Sequence, residues 1–468
     1  MLIRFSIENF LSFKERTEFS MIAGRSGRDK KSHFIKDEKR NAIPILKFAS
    51  IHGANASGKS NLMKAVKFSK DLILNGTKPG SAIQYQTFRL DEKTRNANSR
   101  IEFEIQHKGK MFAYGFVFNK KDIIEEWLFE ISKNSEKPIF ERTEIDKFDI
   151  EPIKELNKVE TEQQFLSFLA KGTLNNQLFL TEVKNRKVKE NVSNIEDLLT
   201  VIDWFENCLT IFFPNSKVTG IEFKLKSNQN LKNSIIELLE YFGTGIDDIC
   251  LEKVDFEKIG LPEEVLIDIK DKLNFENAPN VGVFLTDPLK NMSFAFTKEG
   301  DEFIAEKLMT IHKISGSENT DRFDLKDESD GTRRLIDIIP LLLELFKNSK
   351  VVFIDEPERS LHPNLLYDLV DLFLQKTSSM KNQLIIASHE SSLLTQKLLR
   401  IDELWFVHKN VGGSTNLYSL VDFSIRYDKQ IRKDYLLGRF KAVPKIGNRN
   451  TLSIFNNNTD AKGKKGTC

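Results

Sequence analysis

The chain has 468 residues, more than one ordinary hydrophobic core accommodates, which favours two or three domains. Its 70 Lys and Arg residues nearly balance 68 Asp and Glu residues, so no global charge predicts a nucleic-acid or membrane partner, and any nucleic-acid contact must be a local patch. The three cysteines lie far apart without metal-ligand spacing, and neither a secretory leader nor a transmembrane run is recognisable, so we expect a cytoplasmic protein without a membrane partner.

The first 131 residues are expected to be rich in β-structure. Residues 2–21 alternate apolar and polar side chains, which predicts two strands joined by a turn near Ser12–Glu15. The segment 26–42 is polar and charged with little periodicity, which is typical of a loop. Further strands are predicted, the first two joined by a hairpin turn at Lys108–Lys110; they cover 100–107, 111–118 and 123–131.

A strand, a glycine-rich loop and a helix follow the polar segment. The apolar run Ile45–Ile51 predicts the strand, and residues 59–74 are compatible with a helix. Between them stands GANASGKS, a complete G-x-x-x-x-G-K-S motif. Its glycines let backbone N–H groups face phosphates, while Lys59 adds a charge and Ser60 an oxygen ligand for Mg²⁺. ATP and Mg²⁺ are therefore the expected cofactors, and the expected nucleotide-binding residues are Gly53, Asn55, Ala56, Ser57, Gly58, Lys59, Ser60 and Asn61.

The middle and the last third of the chain have different patterns. From about 132 to 320, apolar stripes at helical spacing, as in NSIIELLEYFG and PEEVLIDIKDKL, predict a large and mainly helical insertion. The last third alternates between helix and strand patterns, which argues for a parallel sheet covered by helices. These elements are a helix from about 331, a strand at Val351–Ile354, a helix from Asn364, and strands at Leu384–Ala387 and Leu404–Val407.

Two adjacent acids end the predicted strand Val351–Ile354. Acids are common at strand ends, but together with the phosphate-binding loop they indicate ATP chemistry. Asp355 can anchor the Mg²⁺ shell, and Glu356 can polarise an attacking water as a catalytic base. Because a protein that merely binds nucleotide needs only one acid, the pair favours hydrolysis.

Two further positions have both a structural and a functional interpretation. Ser329 stands just before the helix from about 331, where it could simply cap the helix; alternatively, Ser329 and the backbone of Gly331 offer a helix N-terminus to a phosphate. A lone histidine is usually structural. His389, however, follows the strand Leu384–Ala387, at the sheet edge where ligands of open α/β folds bind, so we predict a catalytic γ-phosphate contact.

In this order the motifs resemble those of ABC-type ATPases: a Walker A loop, a signature at Ser329–Thr332, a Walker B strand, a D-loop at Ser360–Pro363 and a switch histidine at His389. The opening IRFSIENFLSF and the long insertion resemble the SMC and RecF branch. The sequences ESDGTRRL, IDEPERSLHP and Tyr435–Pro444 resemble the ATPase subunit of bacterial phage-defence pairs, called AbiL or RloA. This likeness covers roughly the two ends of the chain and says little about the insertion.

The resemblance implies an α/β fold, with an ABC-type ATPase head made of a mixed β lobe and a parallel-sheet P-loop core, and a large, mainly helical insertion. Its signature reads Ser-Asp-Gly-Thr where transporters have Ser-Gly-Gly-Gln. We assign Gln86 as the Q-loop residue that contacts the metal. The expected domains are an N-terminal ATPase lobe at 1–131, the insertion for dimerisation or partner binding at 132–320, a C-terminal ATPase lobe at 321–445 and a disordered tail at 446–468.

Three functions compete. The resemblance implies an ATPase that forms a homodimer or higher homo-oligomer and controls a separately encoded effector in anti-phage defence by abortive infection. No D-x-D motif follows the last predicted strand, so we do not expect nuclease chemistry in this chain itself. The resemblance implies a TOPRIM-type nuclease as the separate effector, with an HNH nuclease second. The alternative is a RecF-like, ATP-dependent DNA clamp in repair. A binding module with negligible turnover is the third, and Glu356 counts against it.

Basic residues cluster after the last predicted strand. The cluster fits either a solvated helix face or a docking or nucleic-acid surface. Its residues are Arg426, Lys429, Arg432, Lys433, Arg439 and Lys441.

Overall fold

A computed structural model of the chain describes residues 1–24, 30–36, 42–132, 134–157, 159–218, 220–256, 259–275, 282–287, 292–300, 302–423 and 430–444. Its strands are β1 Leu2–Glu8, β2 Thr17–Ser20, β3 Phe34–Ile35, β4 Ile45–Leu46, β5 Phe48–Gly53, β6 Ser99–His107, β7 Lys110–Phe118, β8 Ile123–Ile131, β9 Glu136–Glu144, β10 Lys147–Asp149, β11 Leu209–Phe212, β12 Asp248–Val254, β13 Gly282–Asp287, β14 Met292–Glu299, β15 Glu302–Lys313, β16 Thr320–Asp324, β17 Val351–Asp355, β18 Gln383–Ser388, β19 Leu404–Lys409 and β20 Thr415–Ser419. Its helices are α1 Lys59–Asn75, α2 Glu92–Arg95, α3 Glu151–Leu156, α4 Glu160–Gly172, α5 Phe179–Asn185, α6 Glu196–Asp203, α7 Ile221–Ser227, α8 Gln229–Tyr241, α9 Glu263–Phe275, α10 Asp330–Lys347, α11 Pro363–Lys376 and α12 Ile431–Leu436.

A six-stranded sheet, in the order β11-β17-β18-β5-β19-β20, forms the centre of the fold. Its first five strands are parallel, and β20 pairs antiparallel with β19. Successive side chains point to opposite faces. Val351 and Phe353 therefore join the core that includes α1, whereas Val352 and Ile354 join the core that includes α10 and α11. Because both faces are covered, the central strands read as continuous apolar runs, and the predicted α/β class with a parallel-sheet core is confirmed.

A seven-stranded antiparallel sheet, in the order β10-β9-β8-β7-β6-β1-β2, forms the second layer. The predicted hairpin is present: His107 pairs with Lys110 across a turn in which Lys108 and Gly109 both have positive φ. Side chains of β1 and β6 enter the same core as α1, so this sheet packs against the P-loop side of the central sheet.

The segment 132–320 differs from expectation in two ways. The seven-stranded sheet does not end at residue 131, because β9 and β10 extend it to Asp149. The rest contains the expected helices α3 to α9, but strands that were not expected alternate with them: β11, an edge strand of the central sheet, and a third sheet in which β12, β15, β14 and β13 are neighbours and β16 pairs with β15. The helical stripes do form α8 and α9. The strands were missed because charged residues interrupt their alternation, as Glu306 and Lys307 do in β15.

The third sheet contacts the C-terminal lobe at the signature. Thr310 and His312, both on β15, hydrogen-bond to the carboxylate of Glu328, and the His312 Nε2 to Glu328 Oε1 distance is 2.7 Å. Glu328 directly precedes Ser329. The inserted sheet therefore helps to set the position of the signature.

In the parts of the chain that the structure describes, no helix is both long and apolar enough to span a membrane. The predicted tail at 446–468 lies outside the described residues, as do 26–29 and 37–41 of the polar segment.

Candidate nucleotide-binding site

The glycine-rich loop joins β5 to α1 at the carboxyl edge of the central sheet. Ala56 has φ +61° and Gly58 has φ +116°, and Gly58 is the residue that caps the N-terminus of α1. Left-handed residues of this kind turn backbone N–H groups toward one concave side, where an anion can bind. Asn55 and Ala56 are exposed, while Ser57, Gly58 and Lys59 are buried beneath them.

Two residues that the sequence did not reveal support this loop from behind. The Thr415 hydroxyl lies 2.8 Å from Ser57 O and 2.7 Å from Ser12 Oγ, and Ser12 Oγ accepts a hydrogen bond from Asn61 Nδ2 at 2.7 Å. The approach is so close that a Cβ on Gly58 would lie 2.2 Å from Thr415 Oγ1. Gly58 is thus required both by its backbone angle and by the lack of space.

Lys59 is buried at the mouth of the loop. Its Nζ donates to Gly53 O at 2.8 Å and to Ala54 O at 3.2 Å, and lies 3.4 Å from His389 Nδ1. Burial lowers the pKa of Lys59 to about 8, against the opposing attraction of Glu358, Asp355 and Glu356. Among the described residues the Lys59 ammonium group forms no ion pair with a carboxylate, and a phosphate would give it an anionic partner.

The Walker B acid Asp355 lies next to the loop. Burial raises the pKa of its carboxyl group, and a hydrogen bond from the Ser60 hydroxyl opposes that shift. Asp355 Oδ1 is buried and has no hydrogen-bond partner among the described residues. One hydroxyl and one carboxylate with an unsatisfied oxygen are the donors that Mg²⁺ takes from a protein when phosphates and water complete its shell. Ser60 and Asp355 thus fit the expected metal.

Glu356 and His389 face each other across the same edge. The Glu356 Oε1 to His389 Nε2 distance is 3.7 Å. Glu356 has φ +48°, and its N–H donates to Ala387 O on the neighbouring strand at 2.8 Å. Burial lowers the pKa of His389, and the charge of Lys59 lowers it further. At neutral pH the imidazole is therefore neutral, so it can donate one hydrogen bond.

Glu358 and Arg334 hold this arrangement in place, although neither was predicted. Glu358 Oε1 accepts a hydrogen bond from the backbone N–H of His389 at 2.5 Å, and burial raises the pKa of the Glu358 carboxyl. Arg334 reaches from α10 toward Glu356 O at 3.5 Å and stacks over the ring of Phe212. The sequence could have indicated Arg334, because it is a charged side chain within the apolar stripe of α10. It could have indicated Glu358, because this residue is a third acid in IDEPE.

The signature residues lie at the N-terminus of α10. Ser329 is exposed and caps the helix by accepting a hydrogen bond from Thr332 N at 3.1 Å, so its structural interpretation holds. Gly331 packs against the D-loop, because a Cβ there would lie 2.8 Å from Ser360 O. Neither residue hydrogen-bonds to the loop at 53–60 within the described chain.

Gln86 has an exposed side chain, and its backbone carbonyl accepts a hydrogen bond from Leu11 N at 2.8 Å. Leu11 adjoins Ser12, which contacts the loop. The backbone near Gln86 is therefore linked to the site, while contact of its side chain with a metal remains a prediction.

Comparisons with known proteins agree with the resemblance to ABC-type and Abi-type ATPases. A family model described as "AAA domain, putative AbiEii toxin, Type IV TA system" matches residues 48–188 and 262–395, more than half of the chain. The match confirms the likeness to Abi-type ATPases that the motifs indicated. No curated protein matches the chain.

Solved structures of SMC head domains are similar at 11% sequence identity. One of them is an SMC head bound to the C-winged helix domain of ScpA. The match covers 91% of this chain and 99% of that head, with a TM-score of 0.42. For the SMC head domain from Thermotoga maritima, the match covers 89% of this chain and 98% of that head, with a TM-score of 0.36. A third structure is an SMC head with an extended coiled coil, bound to the C-terminal domain of ScpA derived from Pyrococcus furiosus. The match covers 94% of this chain and 99% of that head, with a TM-score of 0.40.

We expect the affinity for ATP to fall as the pH rises above about 8. Lys59, with its pKa lowered to about 8, is charged below that pH and must take up a proton above it to contact a phosphate. Calorimetric titration with a non-hydrolysable ATP analogue, repeated in buffers of different ionisation enthalpy, should show this fall together with proton uptake.

The matched control is Lys59→Arg, whose guanidinium stays charged throughout this range. Its affinity is expected to be weaker but independent of pH. An affinity of the unaltered protein that stays constant from about pH 7 to about pH 9.5 would contradict the lowered pKa of Lys59.

Proposed function

The chain belongs to the AbiEii-type AAA domain family, and we propose its function from that premise. We propose that it is an ATP-binding and ATP-hydrolysing ABC-like ATPase, which dimerises around ATP and controls a separately encoded effector nuclease in anti-phage defence. One observation carries the ATPase part: the glycine-rich loop, Asp355–Glu356 and His389 meet at the carboxyl ends of three adjacent parallel strands.

Binding and orientation of the nucleotide are assigned to the loop and to Lys59. The N–H groups of the loop and the N-terminus of α1 would hold the phosphates, and the Lys59 ammonium would exchange its contacts with Gly53 O and Ala54 O for a phosphate oxygen. Ser60 and Asp355 would hold Mg²⁺, which, when bound, offsets the negative charge that develops on the phosphates.

Hydrolysis is assigned to Glu356. Its carboxylate would accept a proton from the attacking water, and His389, neutral at pH 7, would donate a hydrogen bond to the terminal phosphate. The hydrogen bonds of Glu358 to His389 N and of Glu356 N to Ala387 O keep both groups in place before the nucleotide arrives.

We expect Mg²⁺-dependent ATP hydrolysis that requires Lys59 and Glu356. Lys59→Ala should abolish nucleotide binding, and Glu356→Gln should bind ATP but turn it over about 10² to 10⁴ times more slowly, because the general base is lost. Phosphate release and nucleotide binding are the measurements.

Lys67→Ala, which removes a half-buried side chain that pairs with Asp71 on α1, and Glu15→Gln, an exposed carboxylate, are the controls and should leave both activities unchanged. Equal turnover by the unaltered protein and Glu356→Gln would reject the mechanism.

The dimer is proposed because the signature faces solvent. Ser329 is exposed, and within the described chain neither it nor Gly331 hydrogen-bonds to the loop at 53–60 of its own copy. In ABC-type ATPases, which the motifs resemble, the signature completes the site of a second copy. Two ATP molecules would then lie between two copies.

We expect ATP to close a homodimer of the Glu356→Gln protein, measured as an increase in mass or compactness by sedimentation. Ser329→Arg should prevent this closure, because the larger side chain fills the space intended for the partner's phosphate. Asn228→Arg, which removes a similar exposed cap from α8, is the matched control and should leave closure intact. Sedimentation that is unaffected by ATP and by Ser329→Arg would argue against the dimer.

The effector is proposed on two grounds. The family description reads "putative AbiEii toxin, Type IV TA system", and a toxin–antitoxin system by definition pairs two components. The sequences ESDGTRRL and IDEPERSLHP resemble the ATPase subunit of phage-defence pairs, and that resemblance implies a nuclease partner, of the TOPRIM type first and the HNH type second. A partner can respond to ATP only by binding one nucleotide state more tightly than the other.

We expect co-expression with the adjacent reading frame to yield a complex whose stability depends on nucleotide, and the pair to protect cells in a phage-plating assay. Lys59→Ala should lose protection while remaining folded. Full protection by the ATPase alone, with no nuclease co-purifying in any nucleotide state, would reject the two-component function and favour the DNA-clamp alternative.

A further inference from the structure

A groove of about 780 Å³ opens between the segment that follows His389 and the helix α12. Leu394 and Ile431 form its apolar floor and are buried. Leu436 and Leu437 stand at its rim with 60% and 62% of their surface exposed. Two adjacent leucines exposed beside a concave apolar surface are typical of an interaction site rather than of scattered surface residues.

The rim of this groove is positively charged. Lys397, Arg432 and Lys433 line it, and none of the three forms an ion pair within the described part of the chain. Arg439 differs, because it pairs with Asp434 at 2.6 Å. An apolar floor with an unneutralised basic rim complements an apolar stripe that acids flank.

The groove is also connected to the nucleotide site. Arg432 Nε donates to Ser391 Oγ at 3.2 Å, so α12 is bonded to the turn that begins two residues after His389. Within that turn, Glu390 N donates to Ser388 Oγ, and the Glu390 carboxylate accepts from Ser392 N. These hydrogen bonds form a continuous connection through which a movement of His389 toward a phosphate would reach one wall of the groove.

We propose that this groove binds an acidic amphipathic helix of a partner protein and binds it with different affinity in the two nucleotide states. A helix lying in an apolar groove places residues at i, i+3, i+4 and i+7 on the floor and leaves its flanks for charged contacts. The inference rests on the proposed function for the identity of the partner, which is the effector.

The chain's own C-terminal segment is the less suitable occupant. Residues 445–468 contain five basic residues and one acid, so they repel a basic rim; these residues are Lys445, Arg449, Lys462, Lys464, Lys465 and Asp460. The full chain is used in the test, so that occupation by this segment would appear as a failure of binding.

The probe is a labelled, designed helical peptide with leucines on one face and glutamates on both flanks. Fluorescence anisotropy should show saturable binding to the full-length protein. A peptide with lysine in place of glutamate, and one with serine in place of leucine, should each bind at least about tenfold more weakly. With Glu356→Gln, addition of ATP and Mg²⁺ should change the affinity for the acidic peptide severalfold.

The protein variant is Leu437→Glu with Lys433→Glu, which should weaken binding of the acidic peptide at least about tenfold. Both side chains are exposed, so folding should be unaffected. Phe168→Glu with Lys171→Glu, an exposed apolar and basic pair on α4, is the matched control and should bind as the unaltered protein does.

Absence of saturable binding, equal affinity for the lysine peptide, undiminished binding by the Leu437→Glu variant, or equal affinity with and without ATP would each overturn the proposal. Peptide binding in a protein from which no nuclease co-purifies would reject the effector and retain the groove. Co-purification of a nuclease without peptide binding would reject the groove and retain the effector.

Discussion

Three parallel strands, β5, β18 and β17, share one hydrogen-bonded register, and the rest of the site depends on it. Asp355 pairs with Ala387, and Ser388 pairs with His52, so the three strands end at the same level. The loop, the two Walker B acids and His389 each begin where one of these strands stops. No single segment of the chain contains the site; it is formed because buried apolar strands align their carboxyl ends.

The residues at that edge are held in backbone conformations that other parts of the protein maintain. Ala56, Glu356 and Ser360 all have positive φ although none is glycine. Such angles cost on the order of 1 kcal/mol each and persist only where surrounding contacts enforce them. Those contacts are present: Thr415 and Ser12 support the loop, Ala387 and Arg334 fix the backbone of Glu356, and the absent side chain of Gly331 makes room for Ser360 O.

The sequence predicted the features that depend on residues close together along the chain. The loop, the acid pair and the helix caps are set by residues close together in sequence, and apolar runs such as β17 are continuous because both faces are buried. The supporting contacts are different in kind. Thr415 meets Ser12 across 403 positions, and neither residue type is distinctive. The inserted sheet also escaped prediction, since charged residues break the alternation of β15 and the helical stripes of α8 and α9 dominate the surrounding pattern.

Each half of the proposed ATP contact is connected to a surface outside the site. The inserted sheet reaches the signature through Glu328, which His312 and Thr310 bond from β15. The groove beside α12 reaches His389 through Ser391 and Arg432. In an ATP-closed dimer the signature of one copy and the histidine of the other would contact the same phosphate. Binding of that phosphate would therefore affect both the inserted sheet of one copy and the groove beside α12 of the other. A protein built in this way can couple dimer closure to the binding of another molecule without moving its central sheet, because the elements that must shift are a helix terminus and a short turn.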